Sequence, residues 1–124
     1  MVPILEIIDG PLDGLQFRLY DNSDIGFDNR NAIILNHDRT ISGSHACVDI
    51  EGRDWLLSDV KSSNGTYINN QKLKPFKKTP LTDKCFFCIG ATIVQFYHLH
   101  ESKYQYMPVY ICCFIDHSSS SIEP

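Results

Sequence analysis

Short hydrogen-bonding side chains are gathered at two places in this chain. One is Asp59-Val60-Lys61-Ser62-Ser63-Asn64-Gly65-Thr66-Tyr67-Ile68-Asn69, a polar turn between two strand-like runs. The other lies upstream, Thr40-Ile41-Ser42-Gly43-Ser44-His45-Ala46, directly before an alternating apolar run. Hydroxyl and amide groups in an exposed loop satisfy their own backbone and still offer hydrogen bonds outward, which suits holding a polar ligand rather than transforming one. A phosphate dianion asks for that kind of surround: converging hydroxyls, amides, backbone N–H groups and a cation.

Other groupings invite other chemistry. His45, Cys47 and Asp49 are close in sequence, but neighbours along a strand face apart, so His45 and Cys47 share a face only by burying one of them. No hydrolase or transferase spacing accompanies them, and the expectation is a chain without a catalytic residue. Cys85-Phe86-Phe87-Cys88 has a zinc-pair spacing and could be joined by His98, His100, Cys112 and Cys113. Two aromatics between the cysteines point to a strand, where positions three apart project to opposite faces, so neither a metal nor another cofactor is expected. Lys72, Lys74, Lys77 and Lys78 cluster around Pro75 and Phe76, and read as a solvated loop, with an acidic partner as the lesser alternative.

The two loops need a rigid support. Apolar or alternating runs recur at Ile4 to Ile8, Leu15 to Tyr20, Asp24 to Gly26, Ala32 to Leu35, Ala46 to Ile50, Trp55 to Asp59, Thr66 to Ile68, Cys85 to Ile89 and Thr92 to His98. Breakers separate them, among them Asp9-Gly10-Pro11-Leu12-Asp13-Gly14, Glu51-Gly52-Arg53-Asp54 and Asn69-Asn70, and no long stretch keeps helical spacing. This rhythm predicts an all-β fold, an antiparallel β-sandwich whose loops meet at one end, with Trp55 as a core anchor.

A chain of 124 residues fits one domain with its own core. The net charge of -4 argues against a nucleic-acid footprint, so an anion site has to be local. No apolar run approaches the roughly 20 residues that span a bilayer, and Met1-Val2-Pro3-Ile4 has no basic leader, so the chain reads as soluble and intracellular, without a membrane partner. Without a secretory leader the Asn64-Gly65-Thr66 glycosylation match has no chemistry behind it. Five cysteines, mostly inside apolar runs, argue against a disulfide framework.

Ile25-Gly26, then Ser42-x-x-His45, then Asp59-x-x-Ser62-x-Asn64-Gly65-Thr66-Tyr67-Ile68-Asn69, then Leu81-Thr82-Asp83 and Ile89-Gly90, form a spaced pattern that resembles the forkhead-associated domain, a phosphothreonine-binding module. The resemblance covers roughly residues 2 to 99. It implies a sandwich of about eleven short strands. It further implies that Ser42 donates to phosphate, Ser63 lines the phosphate and threonine pocket, and Asn64 clamps the peptide backbone, with Gly43 and Asn69 beside the peptide path. Gly26, His45, Gly65 and Thr66 would support the site, His45 by bracing the two loops.

The family usually carries arginine directly after the first glycine, and a basic or amide residue after the signature serine; this chain has Phe27 and Gly43 there. Replacement cations are Arg30, Arg39 and Lys61, each in or beside a site loop. Uncompensated loss of one charged hydrogen bond costs about 1.5–3 kcal/mol, a tenfold to hundredfold fall in affinity.

The expected organisation is a binding domain over residues 1–100 and a tail over 101–124, containing the apolar run Met107 to Ile115 and a serine-rich end. A module ending in Val94-Gln95-Phe96-Tyr97-His98-Leu99 is similar to the amino-terminal domains of DNA-damage mediator proteins, which implies a nuclear signalling adaptor, with the cytoplasm as the alternative location. The alternative function is an interaction or homodimerisation module with weak or no phosphate dependence.

Overall fold

The computed structural model describes residues 2–99. The readings that involve the 101–124 tail, His100, Cys112 and Cys113 lie outside the described residues. The elements are β1 (Val2–Ile7), β2 (Gln16–Arg18), β3 (Ser23–Gly26), β4 (Ile33–Ile34), β5 (Ala46–Glu51), β6 (Asp54–Asp59), β7 (Thr66–Ile68), β8 (Gln71–Lys72), β9 (Thr79–Pro80), β10 (Phe86–Ile89) and β11 (Thr92–Leu99), with a short 3-10 turn at Gly10–Leu12.

They form two sheets, one of six strands in the order β2-β1-β11-β10-β7-β8 and one of five in the order β4-β3-β5-β6-β9. This is the expected β-sandwich, with one local departure: β3 and β4 pair in parallel, Ile25 opposite Ile33. All other strand pairs are antiparallel. The chain's beginning is tied to the end of the described part by the β1–β11 ladder, from Val2 opposite Leu99 to Ile7 opposite Val94.

Alternation of burial explains the layers. Leu5, Ile7, Phe17, Phe87, Val94 and Phe96 from one sheet meet Ile25, Val48, Trp55 and Leu57 from the other in one apolar core. Each such side chain contributes about 1.5–3 kcal/mol when buried, so these strand faces fix the sandwich. On β5, Ala46 and Val48 point inward while Cys47 and Asp49 face the other way.

Turns at both ends follow local chemistry. Asn69 and Asn70, with φ of 52° and 66°, close the β7–β8 hairpin in the left-handed region where asparagine is tolerated. Gly52 closes β5–β6 and Gly90 closes β10–β11, both with positive φ. The sequence runs missed β8 and β9, which flank the lysine-rich loop.

Four connections gather at one end: β3–β4, β4–β5, β6–β7 and the β10–β11 turn. Ile41 is the apolar anchor of the β4–β5 connection, 3% exposed, and polar ties order the rest.

Candidate functional site

Gly26 ends β3, and its missing side chain lets two loops touch. A Cβ there would lie 2.2 Å from the Gly43 carbonyl oxygen, so no other residue fits without moving backbone. Phe27 N–H donates to the Ser42 carbonyl at 2.9 Å and Asp28 N–H to the Gly43 carbonyl at 3.2 Å. Asn31, buried, donates through Nδ2 to the carbonyls of Asp28 and Gly43 at 2.8 and 2.7 Å. The β3–β4 and β4–β5 loops are thereby one unit.

His45 joins that unit to the β6–β7 loop. Its ring is fully buried; Nδ1 accepts from Ser42 N–H at 3.0 Å, and Nε2 lies 2.9 Å from the Gly65 carbonyl. Because Nδ1 accepts, the proton is on Nε2, which donates to Gly65. Both ring nitrogens are used, so His45 has no lone pair left to act as a base. Cys47, the other half of the catalytic reading, has its thiol pushed up to about 12 by burial and by the Asp49 and Asp24 carboxylates, which keeps it protonated at neutral pH.

Asp59 organises the β6–β7 loop from beneath. Its carboxylate, 2% exposed, accepts from the N–H groups of Lys61 and Ser62 and from the hydroxyls of Ser62 and Thr66. Burial pushes this carboxyl up, yet the hydrogen bonds from Ser62, Thr66 and the loop N–H groups outweigh it and hold the group below its ordinary value. Ser62 Oγ in turn accepts from Gly65 N–H at 2.9 Å. Ser62 and Thr66 therefore build the loop from below.

The outward-facing groups are different ones. Ser42 Oγ accepts from Ser63 N–H at 2.9 Å, which leaves its own proton free to donate. Asn64 Nδ2 donates to the Thr40 carbonyl at 2.8 Å, which leaves its side-chain oxygen free to accept. Among the described residues, the N–H groups of Gly43, Ser44 and Asn64 have no protein acceptor. Asp38 steadies the same loop from the β10–β11 side, accepting from Thr40 N–H, Ala91 N–H and the Thr92 hydroxyl at 2.9, 3.1 and 2.8 Å. Burial raises the Asp38 carboxyl, but the Thr40 hydroxyl together with these donors more than compensates and holds it low.

Of the residues singled out in the sequence, Ser42, Gly43, Ser63 and Asn64 come together with Gly26, His45, Gly65 and Thr66 around this end of the sandwich. Arg39 and Lys61 stand exposed on the loops, Lys61 with a φ of 69°. Arg30 is held at 3.3 Å by Asp28. Asn69 is not brought to this group: it closes the β7–β8 hairpin, at the end of β7 away from Gly65.

Two residues here escaped sequence reading. The Asp28 carboxylate packs on Gly43, where a Cβ would meet its Oδ2 at 2.6 Å, so glycine at 43 makes room for an acid. Lys72, from β8, lays its stem over Gly65, where a Cβ would be 2.9 Å from Lys72 Cε. The pairing of β8 with β7 brings that lysine back to the loop, a placement that linear spacing hides. The result is a shallow set of directed donors and one acceptor, with cations around it and one carboxylate at its border.

Comparison with known proteins agrees with this geometry. A solved FHA domain from an Arabidopsis thaliana hypothetical protein is 26% identical with a TM-score of 0.72, over 80% of this chain and 86% of that one. A structure solved in work on phosphothreonine-dependent FHA domain interactions is 25% identical with a TM-score of 0.69, over 81% of this chain and 99% of that one. The E3 ubiquitin-protein ligase DMA2 of Saccharomyces cerevisiae is 40% identical over 57 residues, which is 42% of this chain and only 11% of the ligase. The FHA domain model itself matches residues 16–90, more than half of the 124, and the chain belongs to the FHA-domain family.

Proposed function

We propose that this chain is a phosphothreonine-dependent protein interaction module that carries out no reaction of its own. The observation that carries this reading is the Ser42 hydroxyl. Its oxygen is committed to Ser63 N–H, so its proton is offered outward beside the unpaired N–H groups of Gly43 and Ser44. Three unused donors on consecutive residues of a partly exposed loop suit a phosphate dianion better than a neutral group. The free Asn64 oxygen then accepts from a peptide N–H, Ser63 lines the pocket, and Arg39, Lys61 and Lys72 supply positive charge. A structural neighbour from work on phosphothreonine-dependent FHA domain interactions supports the reading.

One observation favours a second reading, a module that binds a partner or a second copy of itself without phosphate. Phe27 packs half-buried against the core where the family usually has arginine, and Asp28 adds a negative charge at Gly43. Titration of the labelled protein with a phosphothreonine peptide separates the two. The phosphate reading expects the amide signals of Gly43, Ser44 and Asn64 to shift together, and no response to the unphosphorylated peptide. Equal shifts with both peptides favour the second reading.

The wider setting we propose is a nuclear adaptor in DNA-damage or checkpoint signalling, with residues 1–100 as the binding unit. Imaging of the tagged protein tests the location, and a cytoplasmic signal removes that part.

A further inference from the structure

A second surface of this molecule is built for anions, and it borders the Ser42 site through Lys72. The last strands of the two sheets on one side, β8 and β9, border an open groove of about 500 Å³. Ile68, Leu73 and Cys85 line it together with Lys72, Lys74, Lys77 and Lys78, and among the described residues no aspartate or glutamate does. Lys78 is engaged by Glu51 at 2.6 Å and by Asp49 at 3.8 Å. Among the described residues, Lys72, Lys74 and Lys77 have no ion-pair partner. In a chain of net charge -4, this concentration of positive charge runs against the average.

The loop that carries these lysines is held in place by its own hydrogen bonds. Phe76 N–H donates to the Asp59 carbonyl at 2.7 Å, Lys77 N–H to the Lys74 carbonyl at 3.1 Å, and Pro75 bridges to Asp59. The ammonium groups are thus carried on an ordered frame, with part of the ordering cost of binding already met by folding. Asp59 also organises the β6–β7 loop, so groove and site share a support.

We infer that this groove is a second binding site, taking an acidic stretch of polypeptide in which carboxylates alternate with apolar side chains. The carboxylates meet Lys72, Lys74 and Lys77, and the apolar residues meet Ile68 and Leu73. The alternation matches a lining that combines apolar residues with unpaired lysines. A nucleic acid fits less well, because a polyanion extending past the groove runs onto a surface of net negative charge. Lys72 borders both places, so the inference is tested at Lys74 and Lys77, which the phosphothreonine reading does not use.

The test uses the whole chain and a fluorescent peptide of alternating glutamate and leucine, with a glutamine-for-glutamate version as control. The variants are Lys74→Glu with Lys77→Glu, both exposed, and Lys84→Glu outside the groove as a charge control. Anisotropy at low salt is expected to show binding that falls at least tenfold in the double variant and with the glutamine peptide. Binding should survive Lys84→Glu and Ser42→Ala, and weaken steeply as salt shortens the screening length from about 30 Å toward 3 Å. Equal loss with Lys84→Glu, or equal binding of the glutamine peptide, overturns the site. Tighter binding of a single-stranded oligonucleotide of the same charge overturns the choice of ligand.

Discussion

Replacing Asp28 by asparagine removes a negative charge from the border of the site while keeping the shape that Gly43 accommodates. The carboxylate touches the space next to the Gly43 Cα, and a phosphate seated on the Gly43 N–H would have its centre roughly 6 Å from it. At that distance, with an effective dielectric constant of about 40–80, like unit charges repel by about 0.7–1.4 kcal/mol. A phosphate nearly doubles this, and salt screening between these exposed charges removes a comparable share. The net expectation is a gain of about 1 kcal/mol, roughly fivefold in affinity, for Asp28→Asn toward a phosphothreonine peptide. Isothermal titration in about 50 mM salt should resolve this, and the gain should shrink by half or more near 0.5 M as screening sets in. Unchanged or weaker binding by the asparagine variant would refute the argument that the acid opposes the ligand.

Other expectations concern the frame of the site. Asp59→Asn should destabilise the fold by about 1–3 kcal/mol at pH 7, because an amide cannot accept from all the donors that converge there. The Asp59 carboxyl is held below its ordinary value in the folded state, so its contribution is full above about pH 4, the unfolded value, and fades as pH falls through the lower folded value. Denaturant melts from pH 7 to 2 should therefore show a gentler acid decline in Asp59→Asn than in the parent; parallel curves would contradict this. Gly26→Ala places a methyl 2.2 Å from the Gly43 oxygen and should lower stability by about 1–3 kcal/mol, measurable as a fall in Tm. His45→Ala strands Ser42 N–H and the Gly65 carbonyl, and should weaken peptide binding at least tenfold while far-UV circular dichroism keeps its β signal.

The sandwich was legible because its strands alternate and its turns carry glycine, asparagine or proline. β7 was read with its bounds intact, and the β5–β6 hairpin nearly so, since Gly52-Arg53 sits between two alternating runs. β8 and β9 were not, because each pairs over only two residues and their composition, lysine, glutamine, threonine and proline, is that of a loop. β8 is the short return of the Asn69-Asn70 hairpin, and β9 is ordered by non-local pairing with β6, which no local periodicity records. The parallel β3–β4 pair was hidden for the same reason.

At the site, the serine, histidine and asparagine positions could be found by spacing, since loop chemistry is written in residue type. Three placements could not. Asp28 on Gly43 depends on how two loops dock, Lys72 on Gly65 depends on the β7–β8 register, and Asn69 is carried away from Ser42 by the direction of β7. Each is a consequence of tertiary geometry between residues that are remote in sequence or separated by a strand.

The central claim is that Ser42 and its neighbouring N–H groups hold the phosphate of a phosphothreonine. Its most direct measurement is retention of oriented phosphothreonine, phosphoserine and unphosphorylated peptide libraries by the parent and by Ser42→Ala. The account predicts selective retention of the phosphothreonine library, lost in the variant; retention that ignores phosphate or is unchanged by Ser42→Ala would contradict it.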